Sequence, residues 1–226
     1  MSDEIVSASL KTPRKPEQPI LWIIAGPNGS GKSSLYNRTD IEGWGGSVWI
    51  INPDLLTSRL VEAESLVQAA ANIVALDRIF TWLEASIDVH QTIGVETVLS
   101  SPKYRSLLAT AKDRGFQTRM IYVVLRSAEL QLERIRIRVS EGGHDVPAEK
   151  VIARRTRSFE QLAWFFDHVD ECFIYDNSTG EPELIGGKKA DYLVQIRPFP
   201  ADMRRVLQDA GVEMPRLNNP ASWKLL

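Results

Sequence analysis

Along the chain, short unbroken apolar runs alternate with longer stretches in which apolar residues recur every three or four positions. Residues 20–25, Ile-Leu-Trp-Ile-Ile-Ala, are continuously apolar, the pattern of a strand covered on both faces. A glycine-rich loop follows, and a helix is predicted to open near Lys32. A second strand is predicted over 47–51, running into Asn52, Pro53 and Asp54. From about 62 to 90, Leu66, Ala69, Ile73, Leu76, Phe80, Leu83 and Ile87 predict one long helix with a core-facing stripe.

Further strands are predicted at 95–99, 118–125 and 172–175, and helices at 102–114 (closed by Gly115), 127–140, 148–166 and 201–210. A short hairpin precedes the last helix and a loose tail follows it. In 127–140, Leu132, Ile135 and Val139 lie opposite Arg134 and Arg138; in 148–166, Ile152, Phe159, Leu162, Ala163 and Phe166 lie opposite Arg154 and Arg157. This alternation predicts an α/β fold, a mostly parallel sheet of five or more strands between helices. Residues 1–18, with Pro13 and Pro16 among small and charged residues, read as a disordered arm before one domain over 19–226. They lack the apolar core of a signal peptide.

Composition narrows the classes further. The 226 residues carry 27 Lys and Arg against 29 Asp and Glu, a net charge of −2, which argues against a surface built to grip nucleic acid. No apolar run approaches the roughly 20 residues of a membrane-spanning helix. Cys172 is the single cysteine, and His90, His144 and His168 share no metal-ligand spacing, so disulfides and cysteine-rich zinc sites are excluded. The expectation is a reduced, soluble, cytoplasmic protein.

Gly26, Pro27, Asn28, Gly29, Ser30, Gly31, Lys32 and Ser33 match the eight-residue phosphate-loop pattern at every fixed position, and Ser34 completes the expected nucleotide-binding set. Glycines let successive backbone N–H groups turn inward around an anion, and the following helix aims its positive end at the same charge. Lys32 is expected on the β- and γ-phosphates of ATP and the Ser33 hydroxyl on Mg²⁺. The setting, a buried strand before the loop and a helix after it, is the one that this motif requires. A guanine-reading Asn-Lys-x-Asp is missing, since the nearest string, 37–40, lies inside the first helix. The acidic pair of an ATP-driven motor is also missing. Single carboxylates and arginines at strand ends favour a kinase.

Asp54 lies where the carboxyl end of a strand meets ligand, and it suits two roles: a base for an acceptor hydroxyl, or the N-cap of the next helix. Glu96 interrupts an apolar strand, which is costly unless the carboxylate is paired, whether with Lys32, Mg²⁺, a substrate hydroxyl or an internal partner. Arginines 126, 134, 136, 138, 154, 155 and 157 crowd a segment, 126–157, expected to form a helical lid. One or two of them are expected to stabilise the transferring phosphoryl group, the rest being solvated surface. His144, between Gly143 and Asp145, is expected to brace the turn between the lid helices, with Gly142 and Gly143 as a hinge.

Taken in order, Ala25 through Ser33, Ile51-Asn-Pro-Asp54, Gly94-Val-Glu-Thr97, Val139 through Pro147 and Tyr175-Asp-Asn-Ser178 resemble the zeta toxin family of phosphate-loop kinases. The resemblance implies ATP-dependent phosphorylation of a small-molecule acceptor, UDP-N-acetylglucosamine being the best-known one. It implies Asp54 as the base, Glu96 and Thr97 at the acceptor, and Arg138 and Arg154 on the phosphates. For members that act as toxins it implies an antitoxin protein as partner. Val98 departs from the family, many members having a second threonine there. Two other classes compete: a polynucleotide kinase, tracking phosphates with the arginines, and an ATP-gated interaction protein without catalysis.

Overall fold

The computed structural model describes residues 18–38, 48–141, 146–189 and 192–213. Most of the predicted arm, the tail beyond 213, and the turn holding Gly142, Gly143 and His144 lie outside the described residues. The element order is β1 (Ile20–Ala25), α1 (Lys32–Arg38), β2 (Trp49–Ile51), α2 (Pro53–Glu64), α3 (Gln68–Asp88), β3 (Ile93–Thr97), a 3-10 turn (Pro102–Tyr104), α4 (Arg105–Asp113), β4 (Gln117–Val124), α5 (Ala128–Ser140), α6 (Ala148–His168), β5 (Glu171–Asp176), β6 (Glu183–Lys189), β7 (Tyr192–Gln195) and α7 (Ala201–Asp209).

One seven-stranded sheet runs in the order β2-β3-β1-β4-β5-β6-β7. The first five are mutually parallel, with Ile23 opposite Val95 on one side and Met120 on the other. The hairpin β6–β7 adds antiparallel strands at the far edge. Alternation within each strand divides the core. Leu21, Ile23, Val95, Met120, Tyr122, Val124 and Ile174 pack with the buried faces of α3, α4, α6 and α7. Trp22, Ile24, Ile121, Val123 and Phe173 face the other way and meet Leu35 of α1. Both faces of β1 are therefore dry, as its unbroken apolar run predicts.

The helix predicted over 62–90 is two helices. Ser65 adopts a left-handed conformation (φ 53°) at the end of α2, and the chain turns back before Gln68. Apolar positions keep their spacing across this break, so periodicity alone does not register it. The buried stripe of α3 is Ala71, Ala75, Ile79, Leu83 and Ile87, spaced by four. Small Ala71 and Ala75 let α3 close on Leu60 of α2. Two expected stripe residues turn outward: Ala69 is exposed, and Ile73 is 68 % exposed. No helix among the described residues is long and apolar enough to cross a membrane.

Candidate functional site

The carboxyl ends of the parallel strands open on a cavity of about 630 Å³. β1 delivers the loop 26–31 to its floor. Gly26 (φ +140°) lies against β4 so closely that a Cβ would meet Val123 O at 2.1 Å. Gly31 (φ +87°) has the same constraint from Asn177, whose Nδ2 would stand 2.2 Å from a Cβ. That Nδ2 donates to Ser30 O at 2.9 Å, so the strand-end residue Asn177 splints the loop. Arg134 of α5 extends the splint by donating to Asn177 O and Ser178 O at 2.7 and 3.1 Å. The loop is thus held as a backbone-lined cradle that side chains would fill, which suits a phosphate chain.

Of the expected loop residues, Asn28, Gly29, Gly31, Lys32, Ser33 and Ser34 line the cavity. Gly26, Pro27 and Ser30 lie behind them. Lys32 Nζ donates to Gly26 O and Pro27 O at 2.9 and 3.2 Å and stands 3.9 Å from Glu96 Oε1. Burial lowers its affinity for the proton, and the nearby charge of Arg138 adds to this, against the opposing pull of Glu96 and Asp54.

Glu96, buried at the end of β3, is the hub of the site. Its Oε2 accepts from Ser33 Oγ at 2.7 Å, Tyr36 Oη at 2.9 Å and Asn52 Nδ2 at 3.0 Å. Three donors and the Lys32 ammonium offset the cost of a carboxylate inside an apolar strand. Burial and then the Glu96 charge push the Tyr36 phenol above its ordinary range. The oxygens of Ser33 and Glu96 are hard donors side by side, the chemistry that Mg²⁺ selects.

The two roles open to Asp54 are separated by its neighbour. Asn52 is the N-cap of α2: its Oδ1 accepts from Asp54 N and Leu55 N at 2.9 and 3.3 Å, and Pro53 takes the first helical position. Asp54 is inside the helix, exposed on the cavity wall, and its carboxylate has no hydrogen bond or ion pair to a described residue. The capping role does not belong to Asp54.

Beyond β3 the cavity wall is Thr97–Ser101 and Lys103. Leu99 holds a positive φ of 56°, a strained conformation for this residue, and Thr97 Oγ1 accepts from its N–H at 3.0 Å. Facing this wall, α5 and α6 present Arg134, Arg138 and Arg154. The other lid arginines part ways. Arg126, Arg136 and Arg157 are exposed, whereas Arg155 is only 2 % exposed and belongs to the core. Its guanidinium reaches Asp202 Oδ2 (2.6 Å), Leu125 O (2.8 Å) and Gln131 Oε1 (3.2 Å), fastening α6 to α7, to the residue that follows β4 and to α5. Ile152, expected in the buried stripe, is 46 % exposed, because the face that turns inward runs through Val151, Arg155, Ser158 and Phe159.

Tyr36, Asn52, Lys103 and Asn177 were not singled out by the sequence as site residues. Asn52 and Asn177 lie inside motifs that are visible in the sequence, but their partners are set by the sheet. Tyr36 lies one helical turn beyond Ser33 and so shares its face.

A family model described as Zeta toxin matches residues 3–179. An uncharacterized protein of Haemophilus influenzae is 27 % identical over 144 residues, 60 % of this chain and 96 % of its own length. Among solved structures, the fold is similar to the PezAT chromosomal toxin-antitoxin system of Streptococcus pneumoniae. There the TM-score is 0.60 at 15 % identity, covering 92 % of this chain and 84 % of that one. It is also similar to the AvrRxo1-ORF1:-ORF2 complex with ATP, with a TM-score of 0.59 at 16 % identity. That match covers 89 % of this chain and 66 % of the other, so this chain spans about two thirds of its length.

Proposed function

The chain belongs to the zeta toxin family, and from that premise we propose that it is a kinase that transfers the γ-phosphoryl group of ATP to a hydroxyl of a small metabolite. The observation that carries this reading is the Asp54 carboxylate. Relieved of capping by Asn52, it stands in the same cavity as Lys32, Arg138 and Arg154. A binding module has no use for an unpaired carboxylate opposite three cations.

In this reading the loop 26–31 and the start of α1 hold the phosphate chain of ATP, and Lys32 exchanges its two backbone carbonyls for β- and γ-phosphate oxygens. Asp54 accepts the acceptor's hydroxyl proton as the oxygen–γ-phosphorus bond forms and the bond to the β-phosphate oxygen breaks, releasing ADP. Arg138 and Arg154 balance the charge on the transferring group. Ser33 and Glu96 are the residues that would hold Mg²⁺, which when bound neutralises charge on the β- and γ-phosphates. Thr97, beside Glu96, lies on the acceptor side.

Segment 126–157 is the proposed lid over this reaction, although within it Arg155 fastens α6 to α7 and α5. A UDP-sugar such as UDP-N-acetylglucosamine is the acceptor that the family resemblance supports. Structural likeness to a toxin-antitoxin system supports an antitoxin partner. The test is incubation with ATP, Mg²⁺ and a metabolite library including UDP-sugars, followed by a search for masses raised by one phosphate. A phosphorylated product that disappears in Asp54→Asn is expected. ATP binding without any product would overturn the kinase reading.

A further inference from the structure

Arg134 and Arg138 lie one helical turn apart on α5 and both line the cavity, so by spacing they look like equivalent phosphate-binding arginines. The bonds of Arg134 assign it elsewhere. Its Nη2 donates to Asn177 O and Ser178 O at 2.7 and 3.1 Å, and Asn177 Nδ2 in turn donates to Ser30 O at 2.9 Å. We propose that Arg134 is a positioning residue, which acts on bound nucleotide through Asn177 and the phosphate loop rather than by touching the transferring phosphoryl group. This rests on the kinase reading and separates its arginines by task.

The loop closes directly on this pair of residues. Asn177 is buried, and a Cβ on Gly31 would fall 2.2 Å from its Nδ2 and 4.0 Å from Arg134 Nη1. α5 meets the loop again at Gly29 (φ +74°), where a Cβ would stand 3.1 Å from Ile135 Cγ1 and 3.5 Å from Gln131 O. Gln131, Arg134 and Ile135 share one face of α5, and that face backs the loop.

The segment after β5 is gripped from two directions. Its N–H groups are held locally and by the sheet: Asn177 N donates to Val124 O at 3.0 Å and Ser178 N to Asp176 Oδ1 at 2.8 Å. Its carbonyls, Asn177 O and Ser178 O, receive the Arg134 guanidinium. These charge-assisted bonds fix the backbone from which the Asn177 side chain projects, and so fix the amide that holds Ser30 O. The backbone N–H groups of a phosphate loop cradle the α- and β-phosphates, which ADP and ATP share. A residue that acts through the loop therefore matters equally to the two nucleotides, whereas one that reaches the γ-phosphate matters to ATP alone.

Calorimetric titration with ADP and with a non-hydrolysable ATP analogue, each with Mg²⁺, tests this without the acceptor. Arg134→Met is expected to weaken both nucleotides by the same factor, at least about tenfold. Asn177→Ala should do the same, and the double variant should lose no more than either single one, because the two side chains act in series. Hydrogen exchange over residues 29–32 of the nucleotide-free protein should quicken in each single variant. A loss confined to the analogue in Arg134→Met makes this arginine a γ-phosphate ligand and overturns the inference. Losses that multiply in the double variant make it an independent phosphate contact and overturn it as well. Unchanged ADP affinity or unchanged loop exchange has the same consequence, and so does an Arg134→Met chain that no longer folds, which would reduce the residue to a structural staple. Parent protein that binds neither nucleotide overturns the kinase reading and this inference with it.

Discussion

Asn52 donates from Nδ2 to Glu96 Oε2 at 3.0 Å while its Oδ1 accepts the N–H of Asp54 at 2.9 Å. One amide therefore ties the first turn of α2 to the carboxylate that also receives Ser33 of the phosphate loop. The distance from the proposed base to the phosphate-binding loop is set through this side chain, and not through the flexible side chain of Asp54 itself.

That division of labour predicts opposite phenotypes for residues two positions apart. Asp54→Asn should lower kcat by about 10²–10⁴-fold and leave thermal stability unchanged, since Asp54 neither caps α2 nor pairs with a described residue. Asn52→Ala should cost about 1–2 kcal/mol, because a cap is lost and Glu96 loses a donor. Thermal melts and steady-state kinetics on the two variants check this. Equal destabilisation of both would return the capping role to Asp54.

Lys32→Ala should lower phosphoryl transfer by at least about 10²-fold. It should also change how stability depends on pH. Burial lowers the proton affinity of Lys32 in the folded chain from an ordinary value of 10.5. Between the folded value and 10.5 the unfolded chain binds more protons, so the native state gains stability as pH rises through that window. The stability difference between parent and Lys32→Ala should therefore shift in the parent's favour as pH climbs from neutral toward 10.5. Urea titrations at several pH values measure it, and a difference that shrinks on going alkaline contradicts the burial of a charged Lys32.

Glu96→Gln tests whether the hub carboxylate serves metal binding or only packing. The amide oxygen of glutamine can still accept from Ser33, Tyr36 and Asn52, so the fold should survive with a loss of about 1 kcal/mol. The negative charge is gone, and the Mg²⁺ concentration needed for half-maximal activity should rise about 10–100-fold. An unchanged Mg²⁺ requirement would reduce Glu96 to an internal partner of Lys32.

The phosphate loop and the alternation of strands and helices were legible because each rests on local chemistry: glycines at fixed spacing, and unbroken apolar runs. What was not legible depends on partners distant in the chain. Asn52 and Asp54 are both good caps by type, and only the path from β2 into α2 decides between them. The break at Ser65 hides in a continuous apolar period, and Ile73 and Ile152 look like core until α2 and α7 take their places. Arg155 looks like solvated surface until Asp202, Gln131 and Leu125 O converge on it. Lys103 has no local signal either, since its place on the cavity wall, within reach of the charge of Asp54, comes from the strand order.

Arg154, Arg155 and Arg157 share one turn of α6 and predict three separate outcomes. Arg154 lines the cavity without a hydrogen bond or ion pair to a described residue, so Arg154→Ala removes charge from the proposed transition state and little else. Its kcat should fall about 10²–10³-fold with the melting temperature held. Arg155 makes no contact with the cavity, and its loss leaves Leu125 O without its guanidinium donor at 2.8 Å. Asp202, 40 % exposed, can turn to water, so Arg155→Met should cost about 3 kcal/mol, toward the low end for a broken buried pair. Arg157 is exposed, and Arg157→Ala should change stability by no more than about 0.5 kcal/mol and leave turnover as it is. Kinetics and melts on the three variants separate chemistry, scaffold and surface within a single helical turn. If Arg157→Ala rather than Arg154→Ala abolishes turnover, α6 is rotated from the orientation described, and the assignment of the phosphoryl-facing arginine fails with it.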